Sequence, residues 1–139
     1  MFKSLFSLSD KIINNFNIFQ NIIRLRKIKP KYLFFSENKK YQKYSYLLVE
    51  TLAKKYPGEV YYVSSDVDDK IKNPGVENIF IGKGRLMVMF FQIIRAEKMF
   101  LTLTDLNNNA VKKTKNVDKY IYYFHAPRKY NKNLYSNSI

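Results

Sequence analysis

Five short apolar runs alternate with longer segments along this chain, and this alternation is the feature that most constrains its fold. The runs are KYLFFS (31–36), EVYYVSS (59–65), NIFIG (78–82), KMFLTLTD (98–105) and KYIYYFHA (119–126). Several of them are apolar at consecutive positions, which is typical of strands in a parallel sheet that is covered on both faces. Alternation with helical segments indicates right-handed βαβ units. The sequence therefore predicts an α/β fold with a Rossmann-like, doubly wound parallel sheet.

Two of the segments between these runs have the character of helices. Residues 41–59 show a helical period that ends at the strong terminator Pro57-Gly58. Residues 84–97, GRLMVMFFQIIRAE, are apolar almost all round, as in a helix buried on a sheet. The apolar face predicted for the helix within residues 41–59 consists of Tyr44, Leu47, Leu48 and Leu52.

Residues 1–29 are predicted to form an amphipathic basic helix that precedes the sheet. Polar residues interrupt its apolar stripe, so it is typical neither of a transmembrane span nor of a signal peptide. An apolar stripe followed by clustered cations suits an anionic membrane surface, where each cation contributes about 1 kcal/mol. Packing on the domain's own sheet explains the stripe equally well. The stripe consists of Phe2, Leu5, Ile12, Phe16, Phe19 and Ile23, widened by Ile13 and Ile22, and the cations are Arg24, Arg26, Lys27, Lys29 and Lys31.

Composition narrows the chemistry that the chain can perform. A length of 139 residues suits one domain, and the absence of cysteine excludes disulfides and thiolate catalysis. The formal charge of +14 favours an anionic partner, although AT-rich coding also enriches lysine. Nucleic acid is the less expected partner, because most tyrosines that could stack on bases lie inside predicted strands.

Ligands of doubly wound sheets bind beyond the carboxyl ends of the strands. The glycines of IGKG, Gly82 and Gly84, fit either a phosphate cradle or a plain tight turn, because the third glycine of a dinucleotide fingerprint is missing at Met87. Thr104 and Asp105 follow the fourth strand and fit either ligand binding or helix capping. The polar SSDVDD stretch (64–69) predicts a solvated loop rather than a metal site. Other strand-end residues are Ser36, Ser64, Ser65 and His125, the only histidine.

Several blocks together resemble one enzyme family. They are residues 31–69, the stretches NIFIGKG and MFLTLTDL, and YIYYFHAP at 120–127. In order and pattern they resemble the amino-terminal half of the CDP-glycerol glycerophosphotransferase-like family, the polymerases of teichoic acids and related cell-envelope polymers. The resemblance implies a GT-B transferase whose amino-terminal half holds the acceptor and whose carboxyl-terminal half holds the CDP donor. Residues 30–127 would then be an incomplete acceptor-side domain, followed by a polar tail at 128–139.

The same resemblance implies roles for individual residues and partners. His125 matches the place of a family histidine assigned as general base on the acceptor hydroxyl, although Phe124 and Ala126 replace the family's Trp and Gly. Thr104, Asp105, Gly82 and Gly84 are the expected substrate-binding residues. The implied donor substrate is CDP-glycerol, with no further cofactor and no identified divalent ion.

The implied location and activity follow from the family's biology. The enzyme would work at the inner, cytoplasmic face of the cell membrane, with residues 1–31 on the anionic lipid surface and a membrane-linked acceptor. Without the carboxyl-terminal half, this short chain is expected to be inactive alone. The alternative is a non-catalytic, basic Rossmann-like module that binds anionic membrane or nucleic acid.

Overall fold

The computed structural model describes residues 2–101 and 114–123, with side chains from residue 7 onward. Helices and strands alternate within these ranges, as the sequence predicts, and one short 3-10 helix, Lys39–Tyr41, follows the first strand. The helices are α1 (Phe2–Ile28), α2 (Gln42–Lys55) and α3 (Arg85–Ile93). The strands are β1 (Tyr32–Ser36), β2 (Val60–Ser64), β3 (Val76–Phe80), β4 (Ala96–Leu101) and β5 (Val117–Tyr122).

The strands form one sheet in the order β3-β2-β1-β4-β5. Every neighbouring pair is parallel. Two consecutive crossovers run outward from β1 in one direction, and the chain then returns to place β4 on the other side of β1. The predicted Rossmann-like, doubly wound sheet preceded by a helix is confirmed.

Helices cover both faces of the sheet, which explains why its central strand has no polar side. All five residues of β1 are buried. Leu33 and Phe35 belong to a cluster with α1 and α3, and Phe35 meets the Phe91 ring edge-on at 4.7 Å between centroids. Phe34 points to the other cluster, beneath α2, and stacks on Phe100 at 4.3 Å. Successive side chains of β1 therefore point alternately into two hydrophobic cores, and both cores must form for the sheet to be buried.

Helix α2 packs with a different face from the one the sequence predicts. Its buried residues are Ser45, Val49 and Ala53. Leu47 of the predicted face is 76% exposed, and Tyr44 and Leu48 are also exposed. Small side chains at positions 45 and 53 let the helix lie close to the sheet, whereas bulkier residues there would hold it away. Leu52 of the predicted face does pack against the core. The prediction was wrong for Tyr44, Leu47 and Leu48, because the helix carries apolar residues on more than one side.

Helix α1 is divided between a packed half and an exposed half. Ile18, Ile22 and Leu25 are buried in the core shared with α3. By contrast, every described side chain from residue 7 to residue 17 is exposed. The two sequence interpretations of this helix, packing on the sheet and presentation of an apolar stripe, therefore apply to different halves of it.

Gly82 is the point at which α1 meets the end of β3. A Cβ atom built on Gly82 would lie 3.3 Å from Ile18 Cδ1, and the backbone there has φ +71°. Both facts favour glycine, because the left-handed region strains other residues and the helix approaches closely.

Gly82→Ala is expected to lower the free energy of unfolding by about 2 kcal/mol, through backbone strain and displacement of Ile18. The matched control is Gly58→Ala, since Gly58 has φ +80° with no atom within 4 Å of an added Cβ. That control should cost only the strain, about 1 kcal/mol. Urea denaturation of both variants measures the difference, and equal losses would contradict the close packing of α1 at Gly82.

Candidate functional site

The carboxyl ends of β1, β2 and β3 lie side by side and bring the predicted serines together. Ser36 is in register with Ser64, and Ser64 with Phe80. Beyond the strands, the Ser65 N–H donates to the Ser36 carbonyl at 3.1 Å. All three serines are buried. A parallel sheet collects its strand ends at one edge, so residues far apart in sequence meet at the position where such folds bind ligands.

An open cleft of about 370 Å³ lies at this edge. Its lining residues follow β1, β2 and β3 in the chain. The strand order reverses between β1 and β4, and the cleft lies on the side of that point where β1, β2 and β3 are. Of the residues that the structure describes, two lysines and one carboxylate face the cleft, which is an excess of positive charge. The lining residues are Glu37, Asn38, Lys40, Tyr41, Ser65, Lys83 and Met87.

The two predicted glycines occupy different environments. Gly82 is buried beneath Ile18, so its place in the fold is explained by packing. Gly84 is exposed, caps α3 with φ +71° and makes no side-chain cap. It stands between Lys83 and Met87, both of which line the cleft. Of the pair, Gly84 is the one placed to let a ligand approach the helix.

Thr104, Asp105 and His125 lie outside the described residues. Their predicted roles in substrate binding and catalysis therefore stay predictions. The described chain stops short of them at Leu101 of β4 and at Tyr123, whose N–H donates to the Leu101 carbonyl at 3.0 Å.

Sequence reasoning missed a buried polar network behind the strand ends. Asp69 is 2% exposed, and its carboxylate accepts hydrogen bonds from Tyr62 Oη at 2.9 Å and Ser64 Oγ at 2.8 Å. Gln42 Nε2 on α2 donates to the same carboxylate at 3.0 Å. The solvated-loop prediction holds for the exposed Asp68 and is wrong for Asp69. The network fixes the loop after β2, and with it Ser65 in the cleft wall.

A second carboxylate, Asp66, secures the loop after β1. Its Oδ2 accepts the Lys39 N–H at 3.0 Å and its Oδ1 accepts the Asp68 N–H at 3.1 Å. These backbone hydrogen bonds, assisted by the charges of Lys83 and Lys39, hold the pKa of Asp66 below its usual value. The carboxylate therefore stays ionised and keeps the loops after β1 and β2 together above mildly acidic pH.

Burial also raises the pKa of two tyrosines, and this gives an expected alkaline transition. The pKa of Tyr62 lies well above its usual value and that of Tyr123 is about 12, in both cases chiefly because burial disfavours the phenolate. Since the folded-state pKa exceeds the unfolded value, this stability is fully present below about pH 10 and is lost as the pH rises through the folded-state pKa. Relative to the wild-type chain, Tyr62→Phe should flatten the fall of the urea midpoint above about pH 10, because it removes the phenol whose ionisation the fold disfavours. Equal slopes would contradict the burial of the Tyr62 hydroxyl.

No family model, curated protein or solved structure matches this chain in the three comparisons. The likeness to CDP-glycerol glycerophosphotransferases thus rests on the sequence blocks alone, and the fold is established by its own strand order. Among the described residues, no helix is both long and apolar enough to cross a membrane.

Proposed function

We propose that this chain is the acceptor-side part of a CDP-glycerol glycerophosphotransferase-like enzyme that works on the anionic inner face of the cell membrane. In this proposal α1 lies along the lipid surface with the cleft opening beside it, and a second, donor-side half supplies the CDP-glycerol. One observation carries it: the exposed half of α1 leaves the domain at the edge where the cleft opens.

The path of α1 across the sheet establishes this relation. Arg24 pairs with Glu77 near the start of β3, and Ile18 lies against Gly82 just beyond its end. Going toward its amino terminus, the helix therefore runs toward the carboxyl edge. Residues 2–17 extend past that edge for about 24 Å at the usual helical rise. Lys83, the neighbour of Gly82, lines the cleft, so cleft and helix extension begin at adjacent residues.

The exposed half of α1 carries an apolar stripe suited to lipid. Its large side chains recur three or four residues apart, as a helix inserted along a bilayer surface requires. Such contiguous exposed apolar surface is unusual for a soluble domain and indicates an interaction. The α1 stripe consists of Leu8, Ile12 and Phe16 in the exposed half and of Phe19 just beyond it, with exposures of 56%, 61%, 58% and 42%.

Three of the five cations in the basic cluster, which begins in the last turns of α1 and continues just beyond it, form ion pairs within the domain itself. Lys29 pairs with Asp118 at 3.5 Å and Lys31 with Glu59 at 3.3 Å, in addition to the Arg24–Glu77 pair. These cations lie near the amino edge, at the opposite end of α1 from the stripe. Lipid contact at the carboxyl edge would instead be supported by Lys11, Lys40 and Lys83, all exposed, and by the overall charge of +14.

The proposed chemistry is transfer of a polyol phosphate. The hydroxyl of the membrane-linked acceptor attacks the phosphorus that bears glycerol, a new P–O bond forms, and the bond to CMP breaks. The hydroxyl proton passes to His125, an imidazole whose ordinary pKa suits a general base near neutral pH. CMP leaves with the bonding electrons, held by the donor-side half.

Flotation with vesicles tests the membrane part of the proposal. The wild-type chain is expected to float with vesicles that contain phosphatidylglycerol and to remain at the bottom with pure phosphatidylcholine. High salt should weaken flotation, because the electrostatic contribution is screened. A chain that floats with neither type of vesicle would contradict the proposed membrane contact.

A transfer assay separates the enzyme from the non-catalytic alternative. Membranes of the source cells, depleted of this protein by antibody, are expected to lose transfer of radiolabelled glycerol phosphate from CDP-glycerol. Added wild-type chain should restore it, and His125→Ala should not. Undiminished transfer after depletion would contradict the transferase proposal and favour a non-catalytic membrane-binding module.

A further inference from the structure

Ser65 has a buried hydroxyl group without a partner among the residues that the structure describes. Its side chain is 4% exposed, and its Oγ makes no hydrogen bond within residues 2–101 and 114–123. The neighbouring serines are satisfied: Ser64 Oγ donates to Asp69 Oδ2 at 2.8 Å, and Ser36 Oγ donates to the Asn38 carbonyl at 3.1 Å. An unsatisfied buried hydroxyl is destabilising, because it has lost its hydrogen bonds to water without replacement. Because Ser65 lines the cleft, a ligand there can supply the missing partner.

The amino terminus of α3 opens toward the same cleft. This helix has nine residues, and its cap, Gly84, offers no side-chain hydrogen bond to the first-turn amides. Those amides have no partner within a helix and carry the positive end of its dipole. A Cβ at Gly84 would meet nothing within 4 Å, so the approach is open. Backbone N–H groups and a hydroxyl donor therefore converge from two elements.

The charges around this point favour an oxyanion. Lys40 and Lys83 line the cleft, and among the described residues Glu37 is the one carboxylate in its lining. Asp66 lies near Lys83, but both of its oxygens already accept backbone N–H groups. A ligand with negative oxygens would form ion pairs with both lysines and accept hydrogen bonds from the helix terminus and from Ser65. A neutral polyol would gain only hydrogen bonds.

We infer that this cleft binds the phosphate of a glycerol phosphate unit, with Ser65 Oγ, the Lys40 and Lys83 ammonium groups and the first-turn amides of α3 as its donors. The volume of about 370 Å³ leaves room for the attached glycerol. Assigning this phosphate to the membrane-linked acceptor rests on the proposed function, whereas binding itself does not. Ser65, Lys40 and Lys83 are thus specificity residues, which place the acceptor at the carboxyl edge.

Titration of the full chain with glycerol 3-phosphate, followed by backbone amide NMR, tests the site. The amide signals of Ser65, Gly84 and Arg85 are expected to shift together and saturably at physiological ionic strength. Glycerol should leave them unchanged, and inorganic phosphate should shift the same signals. Lys83→Gln and Ser65→Ala are each expected to weaken binding about tenfold or more, because each removes a donor to a charged group.

The control for general attraction to a positive protein is Lys54→Gln, an exposed lysine in the last turn of α2, near the amino edge. The affinity of Lys54→Gln for glycerol 3-phosphate should match that of the wild-type chain. Thermal melting without ligand supplies a second readout. Ser65→Ala should not lower the melting temperature, since it removes an unsatisfied buried hydroxyl, whereas Ser64→Ala should lower it.

Absence of saturable shifts, or equal weakening in Lys54→Gln and Lys83→Gln, would overturn the site. A melting temperature for Ser65→Ala reduced as much as for Ser64→Ala would also overturn it, because Ser65 would then be structural. These measurements use neither vesicles nor CDP-glycerol. Failed flotation with intact glycerol 3-phosphate binding would therefore contradict the membrane proposal alone.

Discussion

Asp69→Ala is expected to lower the free energy of unfolding by about 3 kcal/mol. The change removes the acceptor of Tyr62 Oη and Ser64 Oγ, both within hydrogen-bond distance of the carboxylate and buried beneath the loop. Each donor then has to stay unsatisfied or admit water. The contact with Gln42 on α2 is lost as well, which loosens the helix on that face of the sheet. Urea denaturation followed by circular dichroism measures the loss.

The matched control is Asp68→Ala, one residue away and exposed. It removes the same charge from the same loop, so it corrects for the change in net charge, and it is expected to alter stability by less than about 0.5 kcal/mol. Asp69→Asn keeps an acceptor oxygen and should fall between the two. If Asp69→Ala cost no more than Asp68→Ala, the network would not be what holds the loop after β2.

Replacing three residues of the α1 stripe should weaken binding to anionic vesicles by at least a hundredfold. The variant is Ile12→Gln, Phe16→Gln and Phe19→Gln combined. Each large apolar side chain contributes about 1.5–3 kcal/mol on full transfer out of water, and a loss of about 2.7 kcal/mol already corresponds to a hundredfold change. Glutamine keeps the net charge and suits a helix, so neither electrostatics nor helix formation is the cause.

The α2 helix provides the control for removal of exposed apolar surface. Leu47→Gln and Leu48→Gln change residues that are 76% and 39% exposed, far from the α1 stripe in the fold. Vesicle binding of this pair should remain within about twofold of wild type, a free-energy difference below about 0.5 kcal/mol. Binding by the triple α1 variant as strong as by the α2 pair would contradict the membrane role of the stripe.

The sheet could be predicted because its signals are local and repeated. Short apolar runs rich in aromatic and β-branched residues, such as those of β1 and β2, are typical of strands covered on both faces, and chirality limits their connections. The sequence also indicated the helices. It could not indicate which face of α2 packs, because small residues such as Ser45 and Ala53 give a weaker signal than leucines and yet decide the closest approach.

The division of α1 could not be predicted for a similar reason. Ile22 and Phe16 contribute equally to a hydrophobic pattern, but only the former lies beside the sheet. Where the helix passes the sheet edge depends on the register of Ile18 against Gly82, a tertiary contact between residues far apart in the chain. The sequence therefore raised both interpretations of the helix without assigning them to its two halves.

The candidate site was partly predicted. Strand-end rules placed Ser65 and Gly84 at the correct edge of the sheet. The burial of Asp69 depends on partners such as Gln42, contributed by another element of the chain. The unsatisfied state of the Ser65 hydroxyl likewise depends on which groups surround it in the fold. A run of acidic and serine residues gives no sign of such partners, so it was interpreted by its polarity alone.

The orientation of the domain on the membrane is the most direct test of the proposed function. The chain has no cysteine, so single nitroxide labels can be attached at Lys83→Cys on the carboxyl edge and at Lys54→Cys near the amino edge. With the protein bound to phosphatidylglycerol vesicles, electron paramagnetic resonance measures the depth of each label. The label at position 83 is expected at the level of the lipid headgroups and the label at position 54 in water. The reverse order would contradict the proposal that the cleft faces a membrane-linked acceptor.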